Sequence, residues 1–209
     1  MEEIGYLWPP RPRTAIPPKI GWKMLGGPPW VAQLKLNGQR CLIYVRSDGF
    51  QMWDRHHKPI NYEPPDWLID EIRSATTRSR GLTVIDGELL HNKDPAVKHT
   101  LYWWDLLVHD DQYLVGHTYE DRYNRLIGLI GLENTSPPDD MVYKVSEHIW
   151  VAYNIEASKW DEAWKHTAKS WVEGVVFKRL DAKLRPCVTP QANSDWMIRC
   201  RKPTKNYMF

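Results

Sequence analysis

The chain has 209 residues, of which 42% are hydrophobic and 26% charged, the composition of one domain with an ordinary core; disordered and collagen-like chains are excluded. No apolar run approaches the roughly 20 residues of a membrane helix, and the opening MEEIGYLWPP has no basic segment followed by an apolar one, so a cytoplasmic protein without a membrane partner is expected. A net charge of +2 is too small to identify a polyanion partner, which leaves that question to local charge. The three cysteines, Cys41, Cys187 and Cys200, are odd in number and far apart, which suits neither a disulfide framework nor a zinc site; reduced, apolar side chains are expected.

Residues 1–29 carry Pro9, Pro10, Pro12, Pro17, Pro18, Pro28 and Pro29, which predicts an extended arm over a body that spans residues 30–209, with regular structure starting near Trp30. VAQLKL, CLIYVR and FQMW then read as short strands of an antiparallel sheet, with a hairpin turn at Ser47-Asp48-Gly49. Asp66, after two prolines, is placed to cap a helix whose Leu68, Ile72 and Ala75 share a face. The segments LTVIDGELL and TLYWWDLLV have strand-like length and β-branched content. Thr118 is positioned to cap a second helix carrying Asp121 in its first turn and Tyr123, Leu126, Ile127 and Ile130 at helical spacing. MVYKVSEHIWV is again strand-like. Asn154 precedes Ala157, Trp160, Trp164, Ala168 and Trp171, whose spacing predicts a long third helix with its tryptophans packed in the core. GVVFKRL and the cationic WMIRCRKP complete an α+β pattern of mostly antiparallel strands flanked by helices.

The segment KLNGQR puts Lys35 at the end of an apolar strand, before a turn-forming Asn-Gly and Arg40. A lysine amine attacks only when deprotonated, and partial burial and neighbouring cations favour that form, so the segment suits covalent catalysis; read plainly, it is a hairpin turn flanked by surface charges. Farther on lie DGEL, LYWWD, EGVVFK and WMIRCRKP. Carboxylates, an aromatic pair and several cations are the groups a nucleoside triphosphate site uses: metal or ribose ligands, a stacking surface and phosphate neutralisation.

This set, in this order, resembles the covalent nucleotidyltransferase superfamily, specifically the ATP-dependent DNA and RNA ligases, from Trp30 onward. KLNGQR is similar to the family's K-x-D-G-x-R, which implies that Lys35 takes up AMP; WDRHHK puts Arg55 where ligases carry a Ser-Arg pair. The resemblance implies that Glu88 of DGEL contacts the ribose or a metal-bound water, that Trp104, just before Asp105, stacks on adenine, and that Glu173 and Lys178 of EGVVFK serve metal and phosphate. It further implies Arg199 and Arg201 in place of the two lysines of the last motif, Gln33 near the adenine amino group where ligases often carry Glu, ATP and Mg²⁺ as cofactors, and Glu88 and Glu173 as metal ligands.

The sequence departs from the family at Asn37, which keeps the turn and an acceptor but loses a charge, and at Gln33, an amide that can flip. The last motif has an extra residue after Trp196, and the chain stops at Phe209, which leaves no room for the oligonucleotide-binding domain that usually follows. The expectation is a monomeric ligase that seals nicked duplex DNA, either minimal or completed by an accessory protein. An RNA ligase, a capping-type guanylyltransferase and a non-catalytic nucleic-acid-binding module are the alternatives. Phosphate contacts are expected from Arg55, Arg179, Arg185 and Lys202, within a cationic stretch that also holds Lys183 and Lys205, and from Arg11, Arg13, Lys19 and Lys23 of the arm.

Overall fold

The computed structural model describes residues 5–18, 20–91, 93–190 and 193–203, with backbone alone at 21–23; Lys19, Lys205 and the side chain of Lys23 lie outside the described residues. In chain order the elements are β1 (Arg11–Ala15), α1 (Ile20–Leu25), β2 (Trp30–Leu36), β3 (Gln39–Arg46), β4 (Gly49–Trp53), α2 (Asp66–Ala75), β5 (Thr83–Leu90) and β6 (Thr100–His109). They continue with β7 (Gln112–Tyr113), α3 (Tyr119–Ile130), β8 (Val142–Lys144), β9 (Ile149–Ala152), α4 (Trp160–Lys165), β10 (Val172–Arg179) and β11 (Asn193–Arg201). The strands form two sheets, one ordered β1-β11-β10-β2 and one ordered β4-β3-β5-β6-β9-β8 with β7 beside β6. Among the described residues only β1·β11 and β6·β9 pair in parallel, so the mostly antiparallel α+β reading holds.

Alternation along the strands sets the packing. In β2, Ala32, Leu34 and Leu36 join Val175 and Phe177 of β10 in a core that also takes Trp160 and Ala163 of α4, while Val31, Gln33 and Lys35 point to the other face. In β6, Leu101 and Trp103 face the core that holds Leu68 and Ile72 of α2 and Leu126 and Leu129 of α3; Tyr102 and Trp104 face the opposite way. The seven-stranded sheet is therefore buried on both sides.

Four sequence expectations are corrected. Regular structure starts before Trp30, because β1 and α1 lie within the proline-rich segment and β1 pairs with β11. β2 and β3 are not hairpin partners: Asn37-Gly38 carries the chain from one sheet to the other, since β2 finds its ladder on β10 and β3 finds its own on β4 and β5. Asp66 is the first helical residue of α2 and makes no cap bond, Pro65 being the N-cap; Thr118, by contrast, accepts from the Asp121 N–H as expected. The long third helix is broken into a 3₁₀ turn at Ala157–Lys159, the two turns of α4 and a second 3₁₀ turn at His166–Ala168. Its tryptophans do pack: Trp160 is buried, and Trp164 and Trp171 rest against the same core. All three cysteines are buried and unpaired. No described helix is long and apolar enough to cross a membrane.

Candidate active site

Strand register assembles the site in rows across the smaller sheet. Lys35 of β2 lies opposite Gly174 of β10, which lies opposite Arg201 of β11; one repeat along, Gln33, Val176 and Arg199 line up, and beyond them Val31, Lys178 and Met197. Directly paired residues share a face, so Gln33, Lys35, Lys178, Arg199 and Arg201 stand on one side of this sheet. A Cβ on Gly174 would meet the Cys200 carbonyl oxygen at 2.0 Å, so the close passage of β11 requires glycine here. The ladder between β2 and β10 slips between Val172 and Gly174, and the displaced Glu173 carboxylate pairs with Lys35 Nζ and accepts from Arg201 Nη2 at 3.2 Å.

The Asn37-Gly38 crossing brings the second sheet to the nucleophile. The Gly38 N–H donates to Glu88 Oε1 at 3.0 Å, and a Cβ on Gly38 would lie 2.6 Å from Glu88 Cγ, so this turn too needs glycine. Burial pushes the Glu88 carboxyl above its ordinary value, against the opposing pull of Lys35 and Arg40. Arg40 binds both oxygens of buried Asp86 and donates to the Pro10 carbonyl at 3.0 Å. Burial works against the guanidinium charge, and Asp86 overrides it, raising the Arg40 pKa. Asn37 Oδ1 accepts from Lys93 Nζ at 2.9 Å, and this cation also reaches the Gly38 carbonyl at 3.3 Å.

These groups line a cleft of about 770 Å³ that holds Lys35, Arg40, Arg55, Glu88, Glu173, Arg199 and Arg201 among the expected site residues, together with Arg11, Asp54, His56 and Lys93. Cations outnumber carboxylates seven to three on its walls, counting Arg11, Lys35, Arg40, Arg55, Lys93, Arg199 and Arg201 against Asp54, Glu88 and Glu173, which gives the cleft an excess of positive charge. Arg55 is held at the rim by an Asp54 turn, in which Oδ1 accepts from the N–H groups of His56 (2.8 Å) and Lys58 (3.0 Å).

Three expected residues sit behind the cleft rather than on its wall. Lys178 is 2% exposed, 4.6 Å from the Tyr119 ring centroid and 5.7 Å from that of Trp104, and burial lowers its pKa to about 7. The Trp104 indole is not an open platform: its N–H donates to Asp86 at 3.0 Å and Arg40 Cζ stands 4.9 Å from its centroid. Gln33 is buried, its amide bonded to Tyr119 and Asn154. Of the expected nucleic-acid contacts, Arg179 pairs with Asp181 at 2.8 Å, Arg185 lines a separate pocket with Trp196, and Lys202 donates to the Thr167 carbonyl at 2.8 Å, so these three are not gathered with Arg55. Arg13 is exposed on β1. Sequence reasoning passed over Asp86, Lys93, Tyr119, Asn154 and the buried bidentate pair of Arg122 with Asp105 (2.8 and 2.9 Å). Asp86 did leave a signal, a carboxylate inside the apolar run TVIDGELL that has to find a cation.

The fold with these two sheets recurs in DNA ligases. A mycobacterial DNA ligase D complexed with ATP and MES matches with a TM-score of 0.57 at 18% identity, over 82% of this chain and 54% of that one. The chain shares its fold with DNA ligase structures. The ligase domain of LigD from M. tuberculosis matches with the same TM-score at 19% identity, over 82% of this chain and 53% of that one. The Chlorella virus DNA ligase-adenylate matches with a TM-score of 0.51 at 16% identity, over 91% and 67%. The chain spans about half the length of the ligase D structures it matches. No protein-family model matches the sequence, and no curated protein does.

Proposed function

We propose that the chain is an ATP-dependent polynucleotide ligase that joins a 5′-phosphate to a 3′-hydroxyl across a nick, most simply in duplex DNA, through a lysyl-AMP on Lys35. The observation that carries this reading is the placement of Lys35: a lysine on a strand end, hydrogen-bonded to a carboxylate, in a cation-rich cleft of a DNA-ligase fold.

In the first step Lys35 Nζ attacks the α-phosphorus of ATP; a P–N bond forms, the P–O bond to pyrophosphate breaks, and the amine proton has its hydrogen-bond partner Glu173 to go to. Arg199 and Arg201, on the same face as Lys35, neutralise charge on the phosphates. In the second step AMP passes from Lys35 to the 5′-phosphate; in the third a 3′-hydroxyl displaces it, both ends being held side by side by the complementary strand. Arg55 and Arg11 stand at the cleft where the phosphate backbone would run.

Among the described residues no three His, Cys, Asp or Glu side chains form a metal-ligand cluster. Glu88 and Glu173 nonetheless suit Mg²⁺, which binds through one or two carboxylates together with substrate phosphates and water. Held there, the ion would supply charge neutralisation at the phosphates.

The test is an intact-protein mass spectrum after incubation with Mg²⁺ and either ATP or GTP. The expected result is the mass of one AMP from ATP alone, absent in Lys35→Ala, followed by sealing of a nicked DNA duplex. A GMP adduct would replace this reading with a capping-type one, and no adduct from either nucleotide would remove the covalent mechanism.

A further inference from the structure

The turn that carries Arg55 stands at a margin of the fold. β4 is the edge strand of the larger sheet, paired with β3 on one side, and the chain leaves it after Trp53 to form the turn 54–58. The turn holds its own shape: the Asp54 N–H donates to the Lys58 carbonyl at 2.8 Å, and Asp54 Oδ1 takes the N–H groups of His56 and Lys58. Such bonds fix a turn internally and leave its direction relative to the cleft to outside contacts. Arg55 and His56 reach the cleft wall, with Arg55 Nε donating to His56 Nε2 at 3.0 Å. Among the described residues no carboxylate pairs with Arg55, so its charge stays available.

The outside contact comes from the N-terminal segment. The Tyr6 hydroxyl donates to the Asp54 carbonyl, and the Tyr6 ring stacks on His57 with centroids 4.3 Å apart and planes 18° from parallel. His57 takes the left-handed conformation at φ 61°, which a non-glycine residue keeps only when its surroundings hold it. Trp8 meets the Tyr6 ring edge-on at 4.9 Å, and Trp53 lies 5.6 Å from His57. Tyr6 is anchored by its neighbours, because the Leu7 N–H donates to the Tyr44 hydroxyl at 2.8 Å and the Trp8 N–H to the Cys187 carbonyl at 2.8 Å. Tyr44 belongs to β3, so these contacts tie the turn to the body of the larger sheet.

We propose that Tyr6 and His57 are positioning residues for the polynucleotide: they clasp the turn 54–58 to the body, so that Arg55 is held at the cleft rim against a phosphate of the nicked duplex. The inference rests on the nick-sealing reading of the cleft. An arginine already held in place loses less freedom when the phosphate arrives, which strengthens binding without a new contact. Among the described residues neither Tyr6 nor His57 bonds to Lys35, Glu88, Glu173, Arg199 or Arg201, so the clasp acts on the polynucleotide and not on AMP uptake.

The test measures lysyl-AMP formation and sealing of a nicked DNA duplex on the whole protein, for the parent, Tyr6→Ala, Tyr6→Phe, Arg55→Ala and the double variant Tyr6→Ala/Arg55→Ala. Tyr6→Ala is expected to raise KM for the nicked duplex about tenfold, while its AMP uptake stays within about twofold of the parent. Tyr6→Phe keeps the stack and loses the bond to the Asp54 carbonyl, so KM should return to within about threefold of the parent. Because Tyr6 acts through Arg55, the double variant should be no worse than Arg55→Ala alone, and each single variant should flatten the slope of log kcat/KM against log salt by about 0.9, one phosphate contact. Losses that multiply in the double variant, a fall in AMP uptake that matches the fall in sealing, a Tyr6→Phe as impaired as Tyr6→Ala, or unchanged sealing in Tyr6→Ala each overturns the proposal. The parent separates the two readings. Sealing by the parent and equally by Tyr6→Ala removes the clasp and leaves the ligase reading, whereas AMP uptake without sealing by the parent removes nick sealing and the clasp with it.

Discussion

A buried lysine with no carboxylate in hydrogen-bond contact is costly, and among the described residues Lys178 is placed so: its amine meets the Trp104 carbonyl, the Tyr119 hydroxyl and two aromatic rings. Its pKa of about 7 lies well below that of an unfolded lysine. Below pH 7 both states carry the proton, and the folded state bears the full cost of a buried charge, about 5 kcal/mol. Between pH 7 and roughly 10.4 the unfolded chain binds the proton and the folded chain does not, so stability rises with pH. Lys178→Met should therefore be more stable than the parent at pH 6, and the gap should narrow by about 1.4 kcal/mol per pH unit above pH 7. Urea denaturation at pH 6, 7.5 and 9 checks this; a gap that does not change with pH would mean that Lys178 titrates as an ordinary lysine. The same burial explains what the sequence concealed at this scale. Lys35, Glu88, Glu173, Arg199 and Arg201 were legible because each lies in a short motif, and the strands then place them on one cleft. Tyr119 and Asn154 were not, because their partner Gln33 is 86 and 121 residues away and only the tertiary fold brings the three together.

Helix α3 shows which local signals survive tertiary packing. Thr118 caps it through the Asp121 N–H at 3.1 Å, and Gly131 ends it in the left-handed region at φ 79°, both as the residue types require. Thr118→Ala should cost about 1 kcal/mol in urea denaturation. One turn in, the fully buried Arg122 fastens the helix to β6 through both oxygens of Asp105 and donates to the His117 carbonyl at 2.9 Å. Removing one partner strands the other charge in the core, so Arg122→Ala should lose about 3–5 kcal/mol, several times the cost of the cap. A loss near that of Thr118→Ala would show that the pair is solvated. The segment 154–171 misled for a related reason. Its tryptophan spacing fits a helix stripe, but the Thr167 hydroxyl donates to the Trp164 carbonyl at 2.7 Å and Lys202 takes the Thr167 and Lys169 carbonyls, while the chain must leave to start β10 at Val172. Local periodicity records which residues are buried and does not record side chains that compete for the backbone.

At the scale of the whole molecule, the composition and the strand-like segments made the mostly antiparallel α+β character legible, and most strands lie where the apolar runs put them. Strand partners were not legible. An Asn-Gly between two apolar runs is a strong local hairpin signal, yet here it crosses between sheets because β10, far along the chain, completes β2. The proline-rich start was underestimated in the same way. Proline removes donors but leaves carbonyls, and the segment uses both what remains and its apolar side chains: the Leu7 N–H donates to the Tyr44 hydroxyl, the Trp8 N–H to the Cys187 carbonyl, and the Pro10 carbonyl accepts from Arg40 in the cleft. Leu7 is buried in the core of the larger sheet, and β1 adds a parallel strand to the smaller one, so this segment ties both sheets together across the cleft. Leu7→Ala should then behave as a core truncation, losing about 2–4 kcal/mol of unfolding free energy with an unchanged denaturant slope. A segment that merely lay over a finished body would give a loss within about 0.5 kcal/mol, as surface substitutions do. Because Arg40 reaches the Pro10 carbonyl three residues on, hydrogen exchange should connect the two regions. In Leu7→Ala the amides of β1 and of the Asn37-Gly38 crossing should lose protection together, whereas loss confined to residues 5–15 would show that the segment and the cleft open independently.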